Sequence, residues 1–167
     1  DTTTILQESD NLAIDWDSFD VAADERVHFI QPDSDSIVLN NILSNHGSTI
    51  HGQIDANGQV FLINPNGVIF GENAVINAGG ILASGLSIDT DAFMNGDYIF
   101  NAVDGSNGFV LNQGLINAAM GGSVALIGTQ VENEGVISAQ LGAVTLAAGK
   151  EAVVSFDQEG LLGVTVT

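Results

Sequence analysis

Two acidic stretches have the spacing with which calcium-binding loops begin. They are DSDS at residues 33–36 and DTD at residues 89–91. Such a loop needs oxygen ligands at alternating positions, but Ile37 and Phe93 stand where the third ligand would fall. The calcium-binding nonapeptide GGxGxD is also absent from the sequence. We therefore interpret both stretches as solvated acidic turns.

Few residues could form a histidine metal site or act as a catalytic nucleophile. His46 and His51 flank the turn NHGSTIHG, and two imidazoles so placed could share a metal ion. Histidines of a surface turn are the simpler interpretation. The chain has no cysteine, and neither GxSxG nor GxGxxG occurs. We expect neither a metal centre nor a cofactor.

Carbohydrate-cleaving chemistry requires groups that this chain does not place together. A hydrolase needs paired carboxylates that face one groove, and the repeats described below hold no acidic pair at corresponding positions. A lyase needs a cationic base, but Arg26 and Lys150 are the only such residues besides three histidines. We predict that the protein is not an enzyme.

The charge balance excludes several classes of partner. The formal net charge is −19, so the clustered Lys and Arg that bind nucleic acid or an anionic membrane surface are missing.

No apolar run reaches the ~18 residues of a membrane span, and no signal-peptide pattern is visible. The chain starts abruptly at Asp1, so we expect a fragment of a longer precursor.

The elements that must position any functional residue follow from an internal repeat. NQGLINA at 112–118 and NEGVISA at 133–139 share the form N-x-G-x-I-x-A, and HGQIDANGQVFLI at 51–63 carries a third copy. From Gly52 to Gly114 the distance corresponds to about three repeats of ~20 residues. This period, with short strands and Gly/Asn turns, predicts a parallel β-helix. The spacing L-x-x-L-x-L of a leucine-rich repeat is missing.

Successive turns of a β-helix place like residues above one another. We predict four stacked pairs: Ile116 with Ile137, Val124 with Val144, Leu126 with Leu146, and Asn112 with Asn133. The last pair would form a ladder of side-chain amides.

The chain divides into three kinds of segment within a single domain, residues 1–167. Residues 1–45 contain short strands broken by acidic turns, and we predict that they cap the β-helix, since an open solenoid end exposes unpaired strand edges. Residues 46–167 would form the turns of the helix. The stretch 86–110 lacks the repeat, so we expect an excursion there, packed on the outside.

A polar turn separates two apolar runs in FLINPNGVIFG, residues 61–71. The runs 60–63 and 68–70 do not alternate with polar residues, which predicts strands that are covered on both faces. Between them, Pro65 sets φ for the second turn position and Gly67 closes the turn without a steric cost.

The run IHGQIDANGQVFLINPNGVIFGENAVINAGGILAS closely resembles the central signature of the two-partner secretion (TPS) domain. This domain is the N-terminal hemagglutination-activity region of filamentous-hemagglutinin-like exoproteins. LAIDWDSFDVAADERVHFIQP at 12–32 and IVLNNI at 37–42 are similar to its upstream blocks, and the repeats at 108–128 and 131–149 to its downstream turns. The resemblance covers nearly the whole chain.

The resemblance implies an all-β fold and a role in export. The fold would be a right-handed parallel β-helix with an N-terminal cap and an extra-helical sheet. The role would be to address a large exoprotein to an outer-membrane β-barrel of the TpsB type with periplasmic POTRA domains. The protein would reach the outside or the surface of a Gram-negative bacterium through the periplasm, and we expect a monomer.

The same resemblance points to five site residues. The family's NPNG-type secretion motif maps onto Asn64, Pro65, Asn66 and Gly67, and the Asn of its LN pair maps onto Asn40.

Two positions depart from the family pattern. A further strand that usually precedes the first block is missing, so the cap is expected to be incomplete. Where the family commonly has Arg after LN, this chain has Asn41.

The sequence therefore supports a secretion-recognition and folding-nucleation module. The alternative is an adhesin module that binds host glycan or a receptor directly, which exposed aromatic side chains on one face would favour. Adhesins, cytolysins and contact-dependent growth-inhibition toxins share this kind of N-terminal region.

Overall fold

The strands of the protein wind into a solenoid with three sides. A computed structural model of the chain describes residues 1–156 and 162–167. The prediction that residues 46–167 form turns of the helix includes 157–161, which lie outside the described residues. Short runs rich in β-branched residues form the strands, and Gly, Asn and Asp occupy the corners between them. Each full turn passes through a first, a second and a third sheet.

All strands of the three sheets pair in parallel. The first sheet contains β1 (Thr2–Leu6), β3 (Arg26–Ile30), β6 (Gln53–Ala56), β9 (Val75–Ala78), β14 (Leu115–Ala118) and β17 (Val136–Ala139). The second sheet contains β2 (Asn11–Trp16), β4 (Ile37–Ile42), β7 (Gln59–Ile63), β10 (Gly80–Ser84), β15 (Val124–Gly128) and β18 (Val144–Ala148). The third sheet contains β5 (Ser48–Ile50), β8 (Val68–Phe70), β13 (Phe109–Asn112) and β16 (Gln130–Asn133).

A fourth, antiparallel sheet lies outside the solenoid, and we call it the outer sheet. It contains β11 (Ser87–Ile88), β12 (Tyr98–Asn101), β19 (Glu151–Phe156) and β20 (Leu162–Val166). A short helix, α1 (Thr90–Met94), joins β11 to β12. The predicted fold class, a parallel β-helix with an extra-helical sheet, is confirmed.

The register of the strands confirms the predicted stack of like residues. The paired positions are Ile116 with Ile137, Val124 with Val144, Leu126 with Leu146, and Asn112 with Asn133. In the last pair Nδ2 of Asn112 donates to Oδ1 of Asn133 over 2.9 Å, so the expected amide ladder is present.

The predicted count of repeats between Gly52 and Gly114 was wrong. The amide of Val75 donates to the carbonyl of Gly52, and the amide of Leu115 donates to that of Ala74, so only two turns separate the two glycines. The chain leaves the solenoid after β10 and returns at β13, and this excursion has about the length of one repeat.

Residues 1–45 contribute strands to the solenoid itself. Strands β1 to β4 pair in register with those of later turns, so these residues form its first turns and no change of architecture occurs near residue 45. The first turn has no regular strand in the third sheet. There Val21 makes a single bridge to Ile50, and Phe19 packs edge-on against Trp16 with ring centroids 5.3 Å apart.

Two hydrophobic cores share the second sheet. Val60 and Leu62 of β7 point into the inner core of the solenoid, whereas Phe61 and Ile63 point into an outer core beneath the outer sheet. This explains why β7 lacks alternation. The prediction for 68–70 was wrong at one position, because Ile69 of β8 is only half-buried and belongs to neither core.

The helix content of the described residues is limited to the five residues of α1. No helix in this part of the chain has the length and apolarity required to span a membrane.

Candidate functional site

The segment Asn64–Gly67 forms a tight turn between β7 and β8. The amide of Gly67 donates to the carbonyl of Asn64 over 2.9 Å, and the amide of Asn66 donates to Oδ1 of Asn64 over 3.0 Å. Gly67 has φ +110°, a conformation that side chains disfavour, and a Cβ there would lie 3.1 Å from the carbonyl oxygen of Phe109. Glycine is therefore favoured here both by the backbone conformation and by the close approach of the Phe109 carbonyl.

The side chains of the turn are bound to the preceding turn of the solenoid. Asn64 is fully buried, and its Nδ2 donates to the carbonyl of His46 over 3.1 Å and to Oγ of Ser48 over 3.0 Å. Nδ2 of Asn66 donates to the carbonyl of Ser44 over 2.8 Å. The side-chain amide groups of the motif are thus engaged within the protein.

The backbone of the turn is bound to the following turn and to the excursion. The amide of Asn64 donates to the carbonyl of Ser84 over 2.9 Å, and the amide of Gly108 donates to the carbonyl of Pro65 over 3.0 Å. Gly108 is the point at which the excursion returns to the solenoid. The motif therefore connects three consecutive turns.

Asn40 lies inside the solenoid on β4, apart from the turn. Its Nδ2 donates to the carbonyl of Phe61 over 3.1 Å, and its Oδ1 accepts from Nε1 of Trp16 over 3.0 Å. The side chain is fully buried and links the strands on either side of its own. The hydrogen bonds of the described residues do not connect Asn40 with the turn, so the five predicted site residues form two separate structural features.

The arrangement fixes both features of the predicted site within the folded protein. Side-chain amides, backbone groups, the Ser48 hydroxyl and the Trp16 indole make these contacts, all of them uncharged. Buried polar groups with full hydrogen bonding stabilise one unique packing. Only Pro65 and Asn66 of the motif remain partly accessible in the folded protein.

Comparison with known proteins assigns the chain to a family. The model of the TPS secretion domain matches residues 1–163. The chain belongs to this family. A heme/hemopexin-binding protein of Haemophilus influenzae strain Rd is 38% identical over an alignment of 154 residues, which covers 87% of this chain and 17% of that protein. A second heme/hemopexin-binding protein of Haemophilus influenzae is 39% identical over 100 residues, which are 60% of this chain and 11% of that protein.

A solved structure confirms the fold of this TPS secretion domain. The crystal structure of the HMW1 secretion domain from Haemophilus influenzae superposes with a TM-score of 0.90 at 37% identity, over 99% of this chain and 44% of that one. The chain thus spans a small part of the curated relatives it matches and less than half of the solved domain. It is a secretion-related module.

Asn41, at which the sequence was expected to depart from the family pattern, forms a hydrogen bond in the structure. Its Nδ2 donates to Oδ1 of Asp15 over 3.0 Å across the outer face of the second sheet. The hydrogen bond joins a neutral amide to a carboxylate on the adjacent strand.

The acidic stretches use their carboxylates to shape local structure. Oδ1 of Asp33 accepts from the amides of Asp35 and Ser36 over 2.9 and 3.0 Å. Asp89 caps α1, accepting from the amide of Ala92 over 2.9 Å. Within residues 1–156 and 162–167, no three His, Asp or Glu side chains converge in a way that could hold a metal ion.

A polar row on the outer face of the first sheet was not predicted from the sequence. Nδ2 of Asn117 donates to Oδ1 of Asn77 over 3.0 Å, and Nδ2 of Asn77 donates to Oδ1 of Asp55 over 3.1 Å. Arg26 forms a salt bridge with Asp55 at the end of this row. The signal was present in QIDA, VINA, LINA and VISA, in which a polar residue always stands between the two apolar ones.

The charge of Asp55 is stabilised by this row. Burial by itself would raise the pKa of Asp55, but the hydrogen bond from Arg26 opposes it, and so do hydrogen bonds from Gln53 and Asn77. Together with the positive charge of Arg26, these contacts hold the pKa below its ordinary value.

Proposed function

We propose that this TPS secretion domain addresses a longer exoprotein to a dedicated outer-membrane transporter and then nucleates its folding outside the cell. Membership of the family and the similarity to the HMW1 secretion domain support this role. The transporter would be a β-barrel of the TpsB type with periplasmic POTRA domains, in a Gram-negative bacterium. The domain would act as a monomer. The exoprotein would be released from the cell or stay at the cell surface.

The burial of Asn64 is the observation on which this proposal depends. Its side chain is fully buried, and three of its hydrogen bonds join it to other residues of the solenoid. A transporter could not reach these groups in the folded domain. The proposal therefore requires that the motif is read while the chain is still extended, when its strands can pair with the edge of a POTRA sheet.

Nucleation of folding is supported by the construction of the solenoid. Each turn contacts mainly its neighbours, so one formed turn supplies the edges on which the next can pair. Trp16 and Phe19 pack against each other and against the inner core, so the turn that contains them is anchored on the next one.

The alternative of a glycan-binding adhesin finds less support. The chain has ten aromatic residues, one Trp, one Tyr and eight Phe, and all lie in the part that the structure describes. None of them is exposed, and six of the phenylalanines are buried. Sugar-binding faces generally present exposed aromatic rings, so the secretion role is the better proposal.

A secretion assay with matched variants tests the proposal. The domain, placed behind a signal peptide, would be expressed with and without its cognate barrel, and protein released to the medium would be measured. Asn66→Ala removes the contact to Ser44 inside the motif, whereas Asn57→Ala removes two hydrogen bonds to Gln31 in another corner of the same fold. Circular dichroism would verify that both variants fold.

The outcomes distinguish a secretion signal that the barrel recognises from a turn that only stabilises the fold. We expect release that depends on the barrel, is lost in Asn66→Ala and is retained in Asn57→Ala. Equal loss in both variants would show that release follows folding stability alone. Release without any barrel would refute the secretion role and favour the adhesin.

A further inference from the structure

Four Asn-Gly pairs occur in the sequence, and the fold treats one of them differently. The pairs are 57–58, 66–67, 95–96 and 107–108. In an Asn-Gly pair the glycine nitrogen is unshielded by any side chain, so it can attack the carbonyl carbon of the preceding asparagine side chain. Asparagine is for this reason among the thermolabile residues of proteins.

Three of the pairs are clamped by hydrogen bonds on both the asparagine and the glycine. Oδ1 of Asn57 accepts from the amide of Gln31 over 2.8 Å, and its Nδ2 donates to the carbonyl of Gln31 over 2.9 Å. The amide of Gly58 donates to Oε1 of the same glutamine over 2.8 Å. Neither reacting group of this pair can turn toward the other without breaking these bonds.

The second and third clamped pairs lie at the secretion motif and at the return of the excursion. Asn66 is held by Ser44, as described above, and Gly67 is buried. Oδ1 of Asn107 accepts from the amide of Phe109 over 2.9 Å. The adjoining glycine, Gly108, is buried and donates its amide to the solenoid.

The remaining pair, Asn95–Gly96, lies on the surface at the end of α1. Both residues are exposed, and no described residue makes a hydrogen bond with the side chain of Asn95. Gly96 has φ +88°, and a Cβ at this position would meet no atom within 4 Å. Its amide makes one hydrogen bond, to the carbonyl of Phe93 over 3.0 Å, in the last turn of a five-residue helix. Helix ends fray, so this nitrogen becomes free far more often than those of the clamped pairs.

We propose that Asn95 is the site at which the folded domain undergoes spontaneous deamidation. The nitrogen of Gly96 forms a bond with the side-chain carbonyl carbon of Asn95, and the side-chain nitrogen leaves as ammonia, which gives a succinimide. Water then opens the ring at either carbonyl, so the product is aspartate or isoaspartate. The step is a substitution followed by hydrolysis and needs no oxidant or reductant.

The product would disturb the outer core locally. A new carboxylate would lie two positions from Asp97, and the isoaspartyl form lengthens the main chain by one carbon atom. Phe93 of α1 is fully buried and packs against Phe61 with ring centroids 6.0 Å apart, and against Tyr98 with centroids 5.7 Å apart. Deamidation at the end of α1 therefore loosens the contact of this helix with the second sheet and leaves the solenoid intact.

Peptide mapping by mass spectrometry tests the proposal on the unaltered protein. The folded domain would be incubated at mildly alkaline pH beside a sample unfolded in urea, and conversion would be followed at all four pairs. In the folded sample we expect Asn95 to convert faster than the other three by about tenfold or more, because opening a clamped pair costs free energy. In urea the four rates should become similar.

A variant and a second readout make the test independent of any single rate. Asn95→Gln should slow conversion at this position strongly and leave the other three rates unchanged. The near-ultraviolet circular dichroism, to which Tyr98 contributes, should then stay constant with time. The ageing wild-type protein should lose part of that signal. Conversion of Asn57, Asn66 or Asn107 as fast as that of Asn95 in the folded domain would overturn the proposal.

Discussion

The inner turns of the solenoid and the turn that contains β17 and β18 share an apolar pattern but bury it to different extents. Leu126 of β15 is fully buried, whereas its stacked partner Leu146 of β18 is 49% exposed; for Val124 and Val144 the contrast is 0% against 47%. Among the strands of the described residues, β15 has a neighbour on each side and β18 has one neighbour. In a solenoid the repeated sequence therefore determines the conformation of each turn, and the adjacent turn buries its apolar side chains and so stabilises it.

Truncation of stacked leucines should give the largest difference between the two regions. We expect Leu126→Ala to lower the free energy of unfolding by about 3 kcal/mol, because it leaves a cavity in the inner core. Leu146→Ala should cost about 1 kcal/mol, since half of this side chain is already in water. Urea denaturation followed by circular dichroism measures both. Similar losses would mean that the last turn is packed as well as the inner ones.

The amide ladder offers a second, smaller contrast. Oδ1 of the buried Asn112 accepts from the amide of Gly114 over 3.0 Å, so Asn112→Ala leaves a buried N–H group without this partner. We expect a loss of about 2 kcal/mol. Asn133→Ala, at the exposed end of the ladder, should cost about 0.5 kcal/mol, because water can replace its amide. A larger loss for Asn133 would contradict the view that burial by the next turn decides the cost.

The outer polar row gives the smallest expected effect and depends on pH. The pKa of Asp55 is lowered on folding, so its contribution to stability is present above the ordinary pKa of about 4 and is lost as the pH falls through the folded value. Asp55→Asn should therefore flatten the acid side of the stability profile by about 0.5 kcal/mol, because its partner Arg26 is partly exposed.

A control in the last turn accompanies this prediction. Ser138 occupies the same row on β17, beside Asn117. Ser138→Ala should leave the pH profile unchanged, as measured by thermal unfolding between pH 3 and pH 7. A profile that is identical for Asp55→Asn and the wild type would show that this carboxylate contributes nothing to folding.

Much of the architecture could be predicted from the sequence because a solenoid repeats its local physics. N-x-G-x-I-x-A and V-x-L place glycine or asparagine at corners and apolar residues inside, and a constant offset fixes the register. The four predicted stacked pairs are present for this reason.

The rest depended on contacts between distant segments. The repeat between Gly52 and Gly114 was miscounted because an excursion of nearly one period cannot be distinguished from a turn by length alone. The partners of Asn64 and Asn66 could not be predicted either, since they lie in corners that share no pattern with the motif. The role of the motif in secretion stays a prediction.

The excursion also has a consequence for the kinetics of folding. Stacked residues are usually close in sequence: Asn77 lies 22 positions from Asp55, and Asn112 lies 21 from Asn133. Across the excursion, Asn77 and Asn117 are 40 positions apart. Closing this longer loop costs about 0.5 kcal/mol more in chain entropy, and longer-range contacts form more slowly. We therefore expect two rapidly forming blocks of turns, and the joining of β9 to β14 between them as the slowest step of pairing.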